Sequence, residues 1–108
     1  MLRLMIVDDE QIIREALSSM IDYTSLGYEV IATAKNGMEA YDRIRDDYPD
    51  VVITDIKMPI LNGLELIERA SRIDSRITFI LLSGYGEFEY AKQAMKYGVR
   101  YYLLKPTD

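Results

Sequence analysis

The chain lacks cysteine and histidine altogether, and these two absences remove several common catalytic chemistries. Without cysteine there is no disulfide, no thiolate nucleophile and no sulfur ligand for a metal. Without histidine there is no imidazole base and no histidine-based zinc site. Any chemistry in this protein must therefore use carboxylates, hydroxyls and amines.

Long hydrophobic runs and clustered positive charge are also missing. The first apolar segment, residues 1–7, stops at Asp8-Asp9-Glu10, which is too early for a signal peptide or a membrane span. We therefore expect a cytoplasmic location and no membrane contact. The net charge of −5 and the scatter of the 13 Lys and Arg residues argue against nucleic-acid binding by this segment.

What is present is a chain of 108 residues, 49% apolar and 29% charged, which fits one globular domain. Short apolar runs alternate with segments of helical period, the pattern of a parallel α/β sheet. The runs predict strands near Arg3–Val7, Glu29–Ala34, Val51–Thr54, Thr78–Leu82 and Tyr101–Leu104.

The segments between these runs carry helix signals. Two of them have apolar stripes at helical spacing, which predicts helices that cover the sheet. The stripes consist of Ile12, Ile13, Ala16, Leu17, Met20 and Ile21, and of Leu64, Leu66, Ile67, Ala70 and Ile73. Asn36-Gly37 and Asn62-Gly63 are turn and cap signals before two of the helical segments.

The last strand is followed only by Lys105-Pro106-Thr107-Asp108, although Thr107 or Asp108 would be a natural N-cap for a fifth helix. We therefore interpret residues 1–108 as one domain that is truncated before its fifth helix. Part of one sheet face should then stay uncovered, and the exposed apolar surface should favour self-association.

Reactive polar residues follow four of the predicted strands. Asp8 and Asp9 follow the first, Asp55 the third, Ser83 the fourth and Lys105 the fifth. In an open parallel sheet the carboxyl ends of the strands meet at one edge, where such proteins bind their ligands. These side chains should therefore share one cleft.

Three carboxylates in one cleft need a compensating cation, or they must share protons. Magnesium suits them, because it prefers oxygen ligands and is typically held by one or two carboxylates plus phosphate oxygens. A carboxylate beside such an ion can accept a phosphoryl group, with an ammonium and a hydroxyl as further partners for its oxygens. Each residue could also have a purely structural role. Asp8-Asp9-Glu10 could be a helix N-terminus, Asp55 a loop residue, Ser83 a turn residue and Lys105 an ordinary solvent-exposed lysine.

These residues resemble the receiver domain of two-component response regulators. The similarity is carried by the acidic pair after strand one, the D-x-x-M-P-x-x-x-G stretch from Asp55 to Gly63, Ser83-Gly84, and Lys105-Pro106. It implies a flavodoxin-like, doubly wound sheet with strand order 2-1-3-4-5. It also implies that Asp55 accepts a phosphoryl group, and that Mg²⁺ is held by Asp8, Asp9, Asp55 and the Lys57 main-chain carbonyl, with one of Asp8 and Asp9 as the direct ligand.

The same resemblance assigns roles to the residues around the acceptor. Ser83, Gly84 and Lys105 are expected to bind the phosphoryl group, and Tyr102 to move together with Ser83 when it arrives. An alternative for Tyr102 is that its ring is simply part of a strand, with the hydroxyl in water. Lys57 and Tyr85 are candidates for tuning the phosphoryl lifetime, because each lies two residues after an acceptor-site residue; both could equally be surface side chains.

Partners follow from the family as well. The resemblance implies a sensor histidine kinase as phosphoryl donor, a homodimer through the face of helix four and strand five, and a signalling domain rather than an enzyme. Residues 83–91 and 26–30 resemble receivers attached to AraC-type helix-turn-helix output domains. Transcription control and DNA binding are thus expected of a parent protein, by analogy.

Other functions of such a fold fit the sequence less well. A receiver-like docking module that takes no phosphate is the main alternative, and the complete set of acidic, hydroxyl and lysine residues argues against it. An anionic flavin cofactor would be repelled by the carboxylates of Asp8-Asp9-Glu10. A phosphatase that works through an aspartyl phosphate would need a general acid at the position of Lys57. A nucleotide site lacks the G-x-x-x-x-G-K motif.

Overall fold

A computed structural model describes residues 1–84 and 86–105 of the chain. Within them a five-stranded, all-parallel sheet has the strand order β2-β1-β3-β4-β5, which confirms the predicted order. Its elements are, in chain order, β1 Leu2–Val7, α1 Gln11–Ser19, β2 Tyr28–Ala34, α2 Gly37–Asp47, β3 Val51–Asp55, α3 Gly63–Ile73, β4 Thr78–Ser83, α4 Phe88–Met95 and β5 Tyr101–Leu104. A short 3₁₀ turn, Thr24–Leu26, precedes β2. The proposed cap residues Thr107 and Asp108 lie outside the described residues.

The larger of two hydrophobic cores lies between the sheet and the helices α2, α3 and α4. It is built from alternate strand residues and from small or branched residues of the helices, among them Val7, Val52, Leu81, Ala40, Ile67 and Ala94. Alternation is the consequence of strand geometry, in which successive side chains point to opposite faces. The strand residues of the other parity, such as Leu4, Ile6 and Ile53, form the second core beneath α1.

The helix starts follow the sequence signals. Asn36 accepts a hydrogen bond from Glu39 N at 2.8 Å and so caps α2. Asn62 and Glu65 form a reciprocal capping box at the start of α3, with distances of 2.9 and 3.1 Å. These contacts satisfy backbone N–H groups that a helix N-terminus would otherwise leave unpaired. They confirm the predictions made from Asn36-Gly37 and Asn62-Gly63.

The first predicted apolar stripe is only partly buried. Ile13 and Leu17 pack against the sheet, whereas Ile12 is 79% and Met20 80% exposed. Helix α1 ends at Ser19 and has no fully buried residue, so the stripe was predicted too wide. The reason is that no second helix among the described residues packs beside α1 on its sheet face to cover the outer part of the stripe.

Strand β5 is exposed along its whole length, from Tyr101 to Leu104. The prediction of an uncovered part of the sheet is therefore confirmed for the described residues. No helix among them is long and apolar enough to cross a membrane.

Candidate functional site

The carboxyl ends of β1, β3, β4 and β5 bring the predicted polar residues to one edge of the sheet. The register of the strands makes these residues neighbours. Asp55 of β3 pairs with Leu82 of β4, the residue before Ser83, and Ser83 pairs with Leu104 of β5, the residue before Lys105. Asp55 and Ser83 are the last residues of their strands rather than the first residues after them, a shift of one position from the sequence prediction.

The side chain of Lys105 joins the two buried carboxylates of the site. Its Nζ lies 2.9 Å from Asp55 Oδ2 and 3.0 Å from Asp8 Oδ2, and 3.6 Å from Glu10 Oε1. The residue Asp8 is fully buried, Asp55 is 3% exposed and the Lys105 side chain 14%. Lys105 is thus no ordinary solvated lysine, because its ammonium is the counter-charge of a largely dehydrated acidic pair.

Burial controls the ionisation of these groups. It raises the pKa of Asp55 to about 6, against the opposing hydrogen bond from Lys105, and nearby Asp8 raises it further. Burial likewise raises the pKa of Asp8, although the backbone N–H of Glu10 and the Lys105 ammonium favour its charged form. For Lys105, burial would lower the pKa, but the two carboxylates outweigh it and raise the pKa above the ordinary value. The trio therefore has one ammonium shared between two buried carboxylates.

The acidic end of the site is formed by three consecutive carboxylates. Asp8 Oδ1 accepts a hydrogen bond from Glu10 N at 2.9 Å. Asp8 Oδ2 lies 3.0 Å from the Lys105 ammonium, which is its counter-charge. Carboxylate oxygens of Asp8, Asp9 and Glu10 lie within 4.8 Å of one another. A buried carboxylate next to two exposed ones fits a hard divalent cation such as Mg²⁺.

Two hydrogen bonds orient the Asp55 carboxylate at the end of β3. Its Oδ1 accepts a hydrogen bond from Ile56 N at 2.8 Å, while Lys105 holds Oδ2. The helix α3 begins close behind it: Gly63 N donates to Ile56 O at 2.7 Å, and a Cβ on Gly63 would lie 2.2 Å from the carbonyl oxygen of Asp55. Only glycine allows the two backbones to approach this closely.

Ser83 and Gly84 form the hydroxyl and amide side of the site. Ser83 is buried, and its hydroxyl donates to Gly84 O at 3.3 Å. The backbone N–H of Gly84 donates to the Glu87 carboxylate. A cleft of about 200 Å³ lies beside these residues, and Tyr102 and Phe88 are among its lining residues.

The remaining predicted residues lie further out. Lys57 belongs to the loop after β3, and its ammonium lies 5.5 Å from the ring centroid of Tyr90 on α4. Tyr102 is 40% exposed on β5. Tyr85 lies outside the described residues.

Two acidic residues of the site were missed as functional candidates by the sequence analysis. Glu10 contributes a carboxylate beside Asp8 and Asp9, and its adjacency to them was the available signal. Glu87 reaches the Gly84 amide from three residues downstream, and nothing in the sequence distinguishes it from an ordinary acidic residue at a helix start.

The family comparison agrees with this arrangement. The model of the response regulator receiver domain family matches residues 4–108. Among curated proteins, the transcriptional regulatory protein YesN of Bacillus subtilis is 52% identical over 108 residues, which are all of this chain and 29% of YesN. The chain spans less than half of the length of the first curated relatives it matches.

Solved structures are similar over almost the whole chain. The REC domain of AraT, a response regulator from Geobacillus stearothermophilus, has a TM-score of 0.93 and 40% identity, and the match covers 99% of this chain and 83% of that one. The CheX–CheY–BeF3–Mg²⁺ complex from Borrelia burgdorferi contains a chain with a TM-score of 0.87 and 28% identity, covering 99% and 80% of the two chains.

Proposed function

This chain belongs to the response regulator receiver domain family, and we propose that it is a phosphorylation-dependent switch with Asp55 as the phosphoryl acceptor. The observation that carries the proposal is the buried Asp8–Lys105–Asp55 arrangement, with both carboxylates within 3.0 Å of one ammonium. A docking module would gain nothing from two dehydrated carboxylates, which are costly to bury.

The proposed reaction is transfer of a phosphoryl group from a phosphohistidine of a partner sensor kinase. A bond forms between an Asp55 carboxylate oxygen and phosphorus while the bond between the histidine nitrogen and phosphorus breaks, and the freed imidazole takes up a proton. Because Asp55 has a pKa of about 6, its carboxylate is largely ionised at neutral pH and can act as the nucleophile.

Mg²⁺ would be held by Asp8, Asp9 and Asp55, with the Lys57 main-chain carbonyl as a further ligand. When bound, it would neutralise charge on the phosphoryl oxygens. The closeness of the Asp8, Asp9 and Glu10 carboxylate oxygens, which lie within 4.8 Å of one another, supports this assignment. The Borrelia chain with the same fold, in a complex that contains BeF3 and Mg²⁺, supports it as well.

The chain's own residues would do the rest. The Lys105 ammonium, already within 2.9 Å of Asp55, would follow the negative charge onto the new phosphoryl oxygens. The Ser83 hydroxyl, whose present hydrogen bond to Gly84 O is 3.3 Å long, would turn to another phosphoryl oxygen. Gly84 would donate its backbone N–H.

Movement of Ser83 would be transmitted to Tyr102. The two residues line the same cleft of about 200 Å³, which leaves room for the half-exposed ring to turn inward. This would change the surface formed by α4 and β5. We assign Lys57 a secondary role: its ammonium, near the Tyr90 ring, would shield the phosphoryl group and lengthen its lifetime, and Tyr85 would act in the same way.

In a longer parent protein, this switch would control transcription. The similarity to the transcriptional regulatory protein YesN supports this role. For the parent protein we also propose an AraC-type output domain, as the resemblance of residues 83–91 and 26–30 implies, together with a cytoplasmic location and a homodimer through α4 and β5. The receiver itself would bind no nucleic acid, in keeping with its net charge of −5.

The decisive test is intact mass spectrometry after incubation with acetyl phosphate, with and without Mg²⁺, on the parent chain and on Asp55→Asn. We expect a Mg²⁺-dependent gain of one phosphoryl group in the parent chain and none in the variant. Labelling of Asp55→Asn at the parent rate would show that another residue is the acceptor. No labelling of a folded parent chain would favour the docking function.

A further inference from the structure

The loop that follows β4 is closed by two hydrogen bonds between Gly84 and Glu87. The backbone N–H of Gly84 donates to Glu87 Oε1, and the N–H of Glu87 donates back to Gly84 O at 3.3 Å. Glu87 is only 8% exposed, so its carboxylate is withdrawn from water. Burial of a charged group is unfavourable unless a hydrogen bond or an ion pair compensates for the lost hydration.

Glu87 does not serve the helix that it precedes. It occupies the N-cap position of α4, but its side chain makes no capping hydrogen bond with the first turn. The side chain instead turns back toward the sheet edge, and a Cβ on Gly84 would lie 3.0 Å from Glu87 Oε1. The carboxylate therefore belongs to the rim of the phosphoryl site rather than to helix capping.

A backbone N–H carries one proton and makes one strong hydrogen bond at a time. The Gly84 amide follows directly on Ser83, and it is the donor that the proposed function assigns to a phosphoryl oxygen. We infer that the Glu87 carboxylate is a built-in competitor of the phosphoryl group: it occupies the Gly84 amide in the unphosphorylated protein and must leave when Asp55 is phosphorylated. This inference rests on the proposed function.

The competition has a cost and a consequence. Phosphoryl binding must displace a charge-assisted hydrogen bond before a phosphoryl oxygen can reach the amide. The apparent affinity is therefore the intrinsic affinity multiplied by the fraction of protein in which Glu87 has released the Gly84 amide. Displacement also breaks the closure between Gly84 and Glu87. The junction of β4 and α4 is then free to rearrange, which links events at Asp55 to the exposed Phe88 at the start of α4.

The test uses beryllofluoride with Mg²⁺ as a phosphoryl mimic and follows binding by ¹⁵N NMR. Glu87→Ala should bind beryllofluoride about tenfold more tightly, the factor that corresponds to losing one competing hydrogen bond to a charged group. Glu87→Gln keeps a neutral acceptor of similar shape, and because neutral hydrogen bonds are weaker it should bind about threefold more tightly. The Gly84 amide resonance should shift in both variants before any ligand is added.

Glu89→Ala is the matched control. It removes the same charge from the first turn of α4, but the Glu89 side chain is 80% exposed and only approaches Lys92, at 4.0 Å. Its beryllofluoride affinity should equal that of the parent chain. An equal gain in Glu89→Ala would reduce the effect to general electrostatics and overturn the competition.

Failure of this inference is distinguishable from failure of the proposed function. If the parent chain binds beryllofluoride and is labelled by acetyl phosphate, whereas folded Glu87→Ala and Glu87→Gln bind no more tightly, the competition is absent and Asp55 remains the acceptor. If the parent chain neither binds nor is labelled, both fall. Circular dichroism identifies a variant that has lost its fold, and the isosteric Glu87→Gln then decides the question.

Discussion

At the scale of single residues, the protein keeps a carboxylate ionisable in a place where burial opposes its charge. Burial raises the pKa of Asp55 to about 6 from an ordinary value of 3.8, even with Lys105 at 2.9 Å. Such a group is unfavourable to the folded state when ionised. Burying ionised Asp55 lowers the free energy of unfolding, but it places a reactive carboxylate oxygen next to the Lys105 ammonium.

This predicts how stability depends on pH in metal-free protein. Between pH 4 and 6 folded Asp55 binds a proton that the unfolded chain has released, so the free energy of unfolding must fall as pH rises through this window. Relative to Asp55→Asn, the parent chain should lose roughly 2–3 kcal/mol between pH 4 and pH 7. Urea titrations at several pH values in EDTA would measure it. Asp46→Asn, at an exposed position, should follow the parent chain, and a pH-independent difference for Asp55→Asn would contradict the prediction.

Lys105 is predicted to contribute to folding as well as to chemistry. Lys105→Met would leave two buried carboxylates without a counter-charge, which should lower the free energy of unfolding at pH 8 by roughly 2–4 kcal/mol. Adding Asp55→Asn to this variant should recover part of the loss. Lys92→Met removes an exposed lysine paired with Glu89 at 4.0 Å and should cost less than about 1 kcal/mol. Equal losses in the two lysine variants would show that the buried ammonium has no structural role.

At the scale of elements, the site depends on how closely α3 approaches the end of β3. Gly63 is the first residue of α3, and its Cα packs directly against the carbonyl group of Asp55. The capping box of Asn62 and Glu65 places the start of the helix at this point. The cap was readable from the sequence because it is a local interaction. The close approach was not, because it is made with residues of another element.

Gly63→Ala should therefore be far more harmful than an ordinary helix substitution. The added Cβ would meet a backbone oxygen at 2.2 Å, which cannot move without moving Asp55. We expect a loss of about 3 kcal/mol or more in thermal or urea unfolding and slower labelling by acetyl phosphate. Asn62→Ala, which removes only the cap, should cost about 1 kcal/mol and leave labelling near the parent rate. If the two variants behave alike, the close approach is not a constraint.

At the scale of the whole molecule, the two faces of the sheet are unequally covered. Among the described residues, helices α2, α3 and α4 cover one face except at β5, whereas α1 covers only part of the other. Leu103 lies opposite Leu82 of the second core and is 50% exposed, which marks the open part of that face. Exposed apolar surface of this kind favours association.

We expect this chain by itself to self-associate through the open face, which is a different surface from the α4 and β5 interface proposed for the parent protein. Leu103→Glu should shift it toward monomer in sedimentation velocity over a wide range of concentrations. Leu104→Glu changes the neighbouring residue, whose side chain lies on the opposite sheet face and is also exposed, and it should leave association unchanged. Dissociation by Leu104→Glu alone would instead place the interface on the face of α4 and β5.

By itself, the sequence determined the parallel α/β architecture and most of the polar residues that meet at one edge of the sheet. Strand runs, helix caps and the alternation of the two are local patterns, and parallel topology brings the ends of β1, β3, β4 and β5 together whatever the details of packing. That is why Asp8, Asp55, Ser83 and Lys105 could be placed at one edge before any coordinates. The sequence predicted too many buried residues on α1. Burial depends on the elements that pack beside a helix, and the spacing of its own apolar residues does not reveal them.

Only the tertiary structure decided the charges and contacts within the site. The Lys105 ammonium shared by Asp8 and Asp55 and the raised pKa of Asp55 follow from depth of burial and from distances between residues remote in sequence. The turn of Glu87 back to the Gly84 amide is likewise a tertiary result, since its position alone predicts a helix start. Dehydration and orientation strengthen each of these interactions, and neither can be read from the order of residues.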